Sequence, residues 1–521
     1  MPQEMILMKN ITKVYPNGFV ANKDITLSVE KGEIHGLVGE NGAGKTTLMK
    51  ILFGIENQEE GQIFIKGQEV KIKDPLHAIA LGVGMVHQHF MLVPSLTVAE
   101  NIVLGMEPKK GIRFDMKKAV DMTREVSTKY NLGVDPMDLV EDISVGQKQK
   151  VEILKALIRG AEVLILDEPT AVLTPQETEE LFVELKKLRD DGYTIVFISH
   201  KLNEVKEICD RVTVLRNGRM IGKKHIDEVS EQDISRMMVG RDVILNIEKD
   251  KAQPKKVVAS IEHLYLKNSD GKDVIKDVSF TIRQGEIVGI VGVEGNGQNE
   301  VTQVMTGLMT GYGGEVIIDG KNIRGLSIRQ IREAGISHIS EDRMTFGAAA
   351  NASVKDNLIS DRYYKKEFNR GLLNHKKIEE LSAGLIKDYK IKCDNQDQPV
   401  RMLSGGNIQK VIVAREFTAN MKVIVANQPT RGIDVGATEF IRRKLIEIAR
   451  EQNVGVLLVS ADLNEALETS DSIIVMHNGE IVAYFEDASQ ITEFTLGEYM
   501  LGINKQTPEE LRRAVYEHQT N

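Results

Sequence analysis

A chain of 521 residues with 41% apolar and 27% charged side chains has the composition of a globular protein of roughly two to four domains. Its net charge of −9 argues against a nucleic-acid binder, which carries a basic patch or stripe. No apolar run reaches the ~18 residues of a membrane span, no basic flank and apolar core open the chain as a secretory signal, and two distant cysteines, Cys209 and Cys393, offer neither a disulfide framework nor a zinc site.

In chain order, residues 6–14, 25–29 and 62–65 read as short strands separated by turns, which predicts an antiparallel subsheet. Between them the apolar strand 34–38 runs into Gly39-Glu40-Asn41-Gly42-Ala43-Gly44-Lys45-Thr46, and a helix from Thr47 to about residue 52 runs out. This strand–loop–helix is the setting that the pattern G-x-x-x-x-G-K-[ST] requires. Its glycines let backbone N–H groups turn inward around phosphate oxygens, and the helix N-terminus adds partial positive charge. Lys45 is placed to reach the β- and γ-phosphates, and the Thr46 hydroxyl to sit on Mg²⁺. Upstream, Tyr15 in a turn is a candidate for stacking on adenine.

Gln88 follows the apolar stretch ending at Val86, where its amide can touch Mg²⁺ or the attacking water. Residues 95–160 are mostly helical and predict an inserted helical subdomain. The apolar run 163–166 then ends in Asp167-Glu168, a buried strand delivering carboxylates at its C-terminal end. Asp167 is the expected metal ligand and Glu168 the general base. After the amphipathic segment 176–190, the run 195–199 ends in His200, placed to contact the γ-phosphate. Apolar runs alternating with helical patterns predict an α/β fold with a largely parallel core sheet.

The chain is a duplication. Gly39, Gly44, Gly61 and Gly67 recur 253 residues later as Gly292, Gly297, Gly314 and Gly320. Pro169-Thr170 recurs after 260 residues as Pro429-Thr430, and Asn217-Gly218 after 261 as Asn478-Gly479. The expected domains are 1–245 and 257–503, joined by a solvated polar linker over 246–256 and followed by a charged tail, 504–521. Thr507-Pro508-Glu509-Glu510 in the tail predicts a short capped helix.

The second copy keeps the glycines and loses the chemistry. Gln298 replaces the loop lysine and Asn299 the hydroxyl residue. Asn427-Gln428 replace both carboxylates, Glu341 replaces Gln88, Ala461 replaces His200 and Asn268 replaces Tyr15. A neutral amide cannot make the charge-assisted phosphate contacts open to Lys45.

In order and spacing, the loop 39–46, Gln88, Ser144-Val145-Gly146-Gln147, Asp167-Glu168-Pro169-Thr170 and His200 resemble the ABC-type ATPases, in both halves and over nearly the whole chain. The resemblance implies two tandem P-loop ABC-type nucleotide-binding domains. Each has a parallel-core sheet, an antiparallel subsheet and the helical insertion. It further implies ATP sandwiched between the loop of one domain and an L-S-G-G-Q signature of the other. The second half reads Leu403-Ser404-Gly405-Gly406-Asn407, near that signature, whereas the first has Val145 at a glycine position. One competent site is therefore expected, from the first half's loop and carboxylates with Ser404, Gly405, Gly406 and Asn407. The reciprocal pairing is expected to hydrolyse slowly or not at all.

A fused pair with a silent second half is similar to the ATPase subunits of simple-sugar (ribose and galactose) and nucleoside importers. Residues 86–93, 143–146 and 170–174 are most similar to the nucleoside branch. That likeness implies integral membrane permease subunits, an extracellular solute-binding lipoprotein, a place on the cytoplasmic face of a bacterial cell membrane, and no nucleic acid. Residues 90–93 are then the candidate groove for a permease helix. The rival is a soluble tandem ABC ATPase acting on ribosomes or DNA. A short linker, acidic charge and one silent site weigh against it.

Overall fold

The computed structural model describes residues 3–511 apart from 17, 88–89, 131, 172, 242–248 and 269–270. The chain separates into two compact units, Met1–Val243 and Ile244–Asn521. Among the described residues no helix is long and apolar enough to cross a membrane.

In the first unit, Glu4–Val14, Val20–Glu30, Glu60–Ile65 and Gln68–Val70 form an antiparallel sheet, with Glu4–Val14 between Val20–Glu30 and Glu60–Ile65. Ile25, Leu27 and Val29 are buried at every second position, the period of a half-buried strand. The strands at 4–14 and 20–30 are longer than the sequence predicts. Asn10 and Asp24 adopt φ of 54° and 53° beside register shifts, and these bulges interrupt the apolar alternation.

The second sheet has six strands in the order Arg219–His225, Arg211–Arg216, Ile34–Gly39, Thr194–Ile198, Val163–Asp167, Val83–Val86. Only the Arg219–His225 edge is antiparallel. Its inner strands are buried residue by residue, as expected where both faces of a parallel sheet are covered. Helices Val98–Val103, Met116–Lys129 and Val145–Ile158 form the insertion. It also contains a two-stranded hairpin, Lys109–Lys110 with Arg113–Phe114, which the sequence reading takes as part of the helical segment.

The second unit repeats this plan. Its antiparallel sheet runs Asp273–Arg283, Val257–Lys267, Gly313–Ile318, Lys321–Asn322. Its six-stranded sheet runs Ile336–Ile339, Val423–Asn427, Gly455–Val459, Ile287–Val291, Ser472–His477, Glu480–Phe485. The segment expected to be a solvated linker is bonded to this unit from Lys249 onward. The Lys249 ammonium donates to the Ser470 carbonyl, and Arg450 Nε donates to the Asp250 carbonyl at 3.1 Å. Burial pulls the Lys249 ammonium below its ordinary pKa, so this charge is not simply solvated. In the tail, Thr507 Oγ1 accepts from Glu510 N at 3.2 Å, the cap that the sequence predicts.

A buried ion group anchors the strand that leads into the glycine loop. Glu33 accepts two hydrogen bonds from Arg211, both 2.7 Å, and His35 Nδ1 donates to it at 3.1 Å. Burial alone would raise the Glu33 carboxyl, but the bonds from His35 and Arg211 hold it at about 2. A carboxyl depressed in the folded state adds stability above its unfolded pKa, and that stability is lost as pH falls through the folded value. The Glu33 contribution is thus complete above about 4.5 and fades towards about pH 2. Arg211→Met leaves this buried carboxylate without its ion partner, held only by His35 and the Glu30 N–H. It is expected to destabilise the first unit by about 3–5 kcal/mol, read as earlier urea unfolding at neutral pH. An unchanged midpoint would contradict the anchoring role.

Candidate active site

Three neighbouring strands deliver the site. Ile198 pairs with Leu37 on one side and with Asp167 on the other. The loop after Gly39, the Asp167 carboxylate and the segment after Ile198 therefore emerge together at the carboxyl edge, where ligands of open α/β sheets bind.

Two loop glycines are sterically required. A Cβ on Gly39 would lie 2.4 Å from the Leu215 carbonyl oxygen, and one on Gly44 would lie 2.3 Å from Asn22 Nδ2. Gly44, at φ 97°, precedes the helix Lys45–Leu52, and Asn22 Nδ2 donates to its carbonyl at 3.0 Å. Lys45 is only 6% exposed, and Nζ donates to the carbonyls of Gly39 at 2.6 Å and Glu40 at 3.1 Å. Burial draws its ammonium below the ordinary lysine value, against the opposing pull of Glu168, Asp167 and Glu40. Thr47, in the same helical turn, has Oγ1 3.4 Å from the Tyr15 hydroxyl. Tyr15 stacks on Phe19 with ring centroids 6.5 Å apart, which sets an aromatic pair at the outer end of the loop.

Thr46 Oγ1 donates to Asp167 Oδ2 at 3.4 Å. Asp167 is buried, and burial followed by the adjacent Glu168 charge raises its carboxyl above the usual range. A hydroxyl and a carboxylate that is short of positive charge form a hard-oxygen pair that fits Mg²⁺. Among the described residues no group of three or more His, Cys, Asp or Glu side chains could hold a metal ion. Gln88, the other expected ligand, lies outside the described residues.

Glu168 sits in the left-handed region, at φ 50°, and its N–H donates to the Ile198 carbonyl at 2.9 Å. Its Oε1 is 3.0 Å from His200 Nδ1. Burial pushes the Glu168 carboxyl up, but the hydrogen bond and charge of His200, with Lys45 and Lys201, bring it below its ordinary value. The group is an ionised carboxylate held by an imidazole, which suits proton acceptance. The structure thus brings Lys45, Thr46, Asp167, Glu168 and His200 to one edge.

Motif reading passed over the support behind them. The buried Glu204 carboxylate accepts from Thr170 Oγ1 at 2.6 Å and Ser199 Oγ at 3.1 Å, tying together the segments after two strands. Glu465 does the same in the second unit, accepting from Thr430 Oγ1 at 2.7 Å and Ser460 Oγ at 2.6 Å. An acid at matching places in both halves was the available signal.

At the second unit's edge the reactive groups are amides. Gln298 Nε2 donates to the Val293 carbonyl at 3.1 Å, and Asn427 Nδ2 donates to Asn299 Oδ1 at 2.8 Å. Gln428 keeps φ 50°, and its Oε1 accepts from Ala461 N at 3.1 Å. The signature segments differ as well. Ser144 caps the helix Val145–Ile158 in a reciprocal box with Gln147. Asn407, one methylene shorter, instead donates to Ser404 Oγ at 2.8 Å. A Cβ on Gly405 would lie 3.0 Å from Arg343 Nη1, the far end of a flexible side chain; Phe90 holds the position of Arg343 in the first half.

Near the first site, the main chain of residues 91–93 is tied to the helical insertion. Met91 N donates to Glu152 at 2.6 Å, and Val93 N donates to Asn101 Oδ1 at 2.7 Å. Met91 and Val93 are left exposed at 62% and 38%.

A family profile described as ABC transporter matches residues 22–171 and 275–431. A guanosine import ATP-binding protein of Bacillus subtilis (strain 168) is 45% identical over 499 residues, 96% of this chain and 97% of the relative. A nucleoside import ATP-binding protein of Lactococcus lactis is 43% identical, covering 96% and 99% of the two chains. A glucose import ATP-binding protein of Haloferax volcanii is 41% identical over 92% of each. The archaeal ribosome recycling factor aABCE1, solved with the ribosomal stalk protein aP1, aligns with a TM-score of 0.59 at 18% identity over 92% of this chain and 90% of its own, a likeness of fold alone. With two matched domains, a phosphate loop and a carboxylate pair at the sheet edge, this chain belongs to the ABC transporter family as an ATP-binding protein with two ABC domains.

Proposed function

We propose that this chain is the ATP-hydrolysing subunit that energises a nucleoside importer, acting at the cytoplasmic face of the membrane beside integral permease subunits that receive solute from an extracellular lipoprotein. The ionised Glu168 held by His200 at the edge where Lys45 and Asp167 meet is the observation that carries the ATPase reading. Import, and nucleosides before simple sugars, rest on the guanosine and nucleoside relatives at 45% and 43% identity. The glucose relative at 41% keeps sugars as the second reading. Exposed Met91 and Val93, with their backbone fixed, supply apolar contacts suited to a permease helix.

In this reading Lys45 and the loop N–H groups hold the β- and γ-phosphates. Thr46 and Asp167 are the residues that would hold Mg²⁺, which when bound neutralises charge on the phosphate oxygens. Glu168 accepts a proton from water as that water's oxygen bonds to the γ-phosphorus and the bond to the ADP oxygen breaks. His200 keeps the accepting carboxylate oriented and ionised. The second unit contributes the Ser404–Gly405–Gly406–Asn407 segment and no acid–base group. Closure on ATP then drives the permease between access states.

Glu168→Gln is expected to cut ATP turnover about 10²–10⁴-fold in the assembled transporter, while Gln428→Glu leaves it nearly unchanged. Residual turnover well above background in the first variant would refute a single catalytic base.

His200→Ala removes the largest of the interactions that lower the Glu168 carboxyl, leaving Lys45 and Lys201 against the burial that raises it. The acid limb of the turnover profile should move to higher pH. An unshifted limb would separate His200 from Glu168.

For the transported solute, deleting the gene should abolish uptake of labelled nucleosides and leave labelled ribose and galactose uptake intact. The reverse pattern would favour the sugar reading.

A further inference from the structure

At the edge of the second unit, the residues matching Thr46, Gln88 and Asp167 are Asn299, Glu341 and Asn427, and they are bonded to one another. Asn427 Nδ2 donates to Asn299 Oδ1 at 2.8 Å, and Asn299 Nδ2 donates to Glu341 Oε2 at 3.1 Å. The other Glu341 oxygen is ion-paired with Arg431. Of these three positions only Glu341 carries a carboxylate, and both its oxygens are engaged. Mg²⁺ is held through carboxylate oxygens that are open to it, and both Glu341 oxygens are taken by Asn299 and Arg431, so this set does not fit that ion.

A guanidinium has joined the cluster instead. Arg431 occupies the place of Ala171, and Arg343 that of Phe90. Arg343 lies on a π-helical turn, Arg343–Gly347, capped by Asp342. It donates to the Gly405 carbonyl at 3.3 Å and to the Arg431 carbonyl. Burial, then the charge of Arg431, draws the Arg343 guanidinium below its ordinary value. Arg431 faces the Glu341 carboxylate and Arg343 adjoins the Asp342 carboxylate, so each guanidinium has one acid beside it. Beside them Gly297, at φ 102°, opens the nine-residue helix Gln298–Thr306 with the same loop shape as the first unit. Asn427, 5% exposed, keeps Oδ1 buried and without a hydrogen-bond partner. That acceptor, at the position of the first unit's Asp167, calls for a donor, which a phosphate oxygen cannot supply and a water between it and the phosphate can.

We propose that the second unit binds a nucleoside di- or triphosphate without a divalent cation, the Arg431 guanidinium supplying the charge that a metal supplies between a threonine and an aspartate. Guanidinium recognises phosphate oxygens by two-pronged, charge-assisted bonds and needs no hydration shell to be removed from a metal. The site is a binding site only, since Gln428 and Ala461 offer no base. The inference concerns binding within the second unit and holds whichever half hydrolyses ATP.

The test uses the full chain carrying Lys45→Ala, which weakens the first loop, and equilibrium dialysis with radiolabelled ATP and ADP. One nucleotide per chain is expected, with a dissociation constant that differs less than about twofold between Mg²⁺ and EDTA. Adding Arg431→Gln should weaken this binding at least about tenfold, and Arg431→Lys should restore much of it. Absence of EDTA-resistant binding, a tenfold gain from Mg²⁺, or indifference to Arg431→Gln in a chain of unchanged melting temperature would each overturn the proposal. Displacement of ATP by inorganic phosphate at equal concentration would overturn the nucleotide assignment in favour of a phosphate site. The comparison of Mg²⁺ with EDTA needs no change at Arg431, so a misfolded arginine variant does not remove the test.

Discussion

The first unit depends on one arrangement of charge: an ammonium, Lys45, and a carboxylate, Asp167, both more than nine-tenths buried at the end of a parallel sheet, with the Glu168 carboxylate beside them. Burial opposes the charged form of each, lowering Lys45 and raising Asp167. They share the edge because Ile198 pairs with Leu37 on one side and Asp167 on the other, so strand order fixes the distance between loop and carboxylates. Such an edge suits a ligand that brings its own charges, such as a polyphosphate. The same strand lends Glu168 a backbone acceptor, which holds that residue in the left-handed region and aims its side chain at His200.

The second unit separates scaffold from chemistry. It keeps the left-handed residue after its carboxylate-equivalent strand, the buried acid behind two hydroxyls, and the glycine that opens the loop helix. It lacks the lysine, the hydroxyl residue and both acids. The backbone strain at Gln428 persists with no base to present, which shows that this geometry belongs to the strand-to-loop exit itself. What replaced the acids is a bonded set of amides with an ion pair, satisfied internally except for the Asn427 oxygen.

The sequence made the loop, the carboxylate pair and the duplication legible because each is local: spacing along a strand or turn carries the meaning. Alternating apolar runs likewise announced the parallel sheet. Bulges at Asn10 and Asp24 hid the full length of two strands by breaking a two-residue period. The hairpin in the helical insertion was too short, at two residues per strand, to leave a period at all. Residues that act across the fold were hardest to see. Glu204 meets Thr170 across 34 positions, and Arg431 meets Glu341 across 90, so only folding joins them. Lys249 looked like a solvated linker charge because its acceptor, Ser470, lies 221 positions away. The glycine at 405 read as a signature letter, and its contact with Arg343, 62 positions away, appears only in three dimensions.

The central claim is that the half bearing Lys45 carries the hydrolytic chemistry and the other half does not. Vanadate trapping of a photoreactive azido-ADP in the assembled transporter, followed by peptide mapping, measures this directly. The account predicts one vanadate-dependent trapped nucleotide per chain, attached to first-unit peptides around Tyr15 and the loop 39–46. Vanadate-dependent label concentrated on the peptide that carries Gln298 would contradict it.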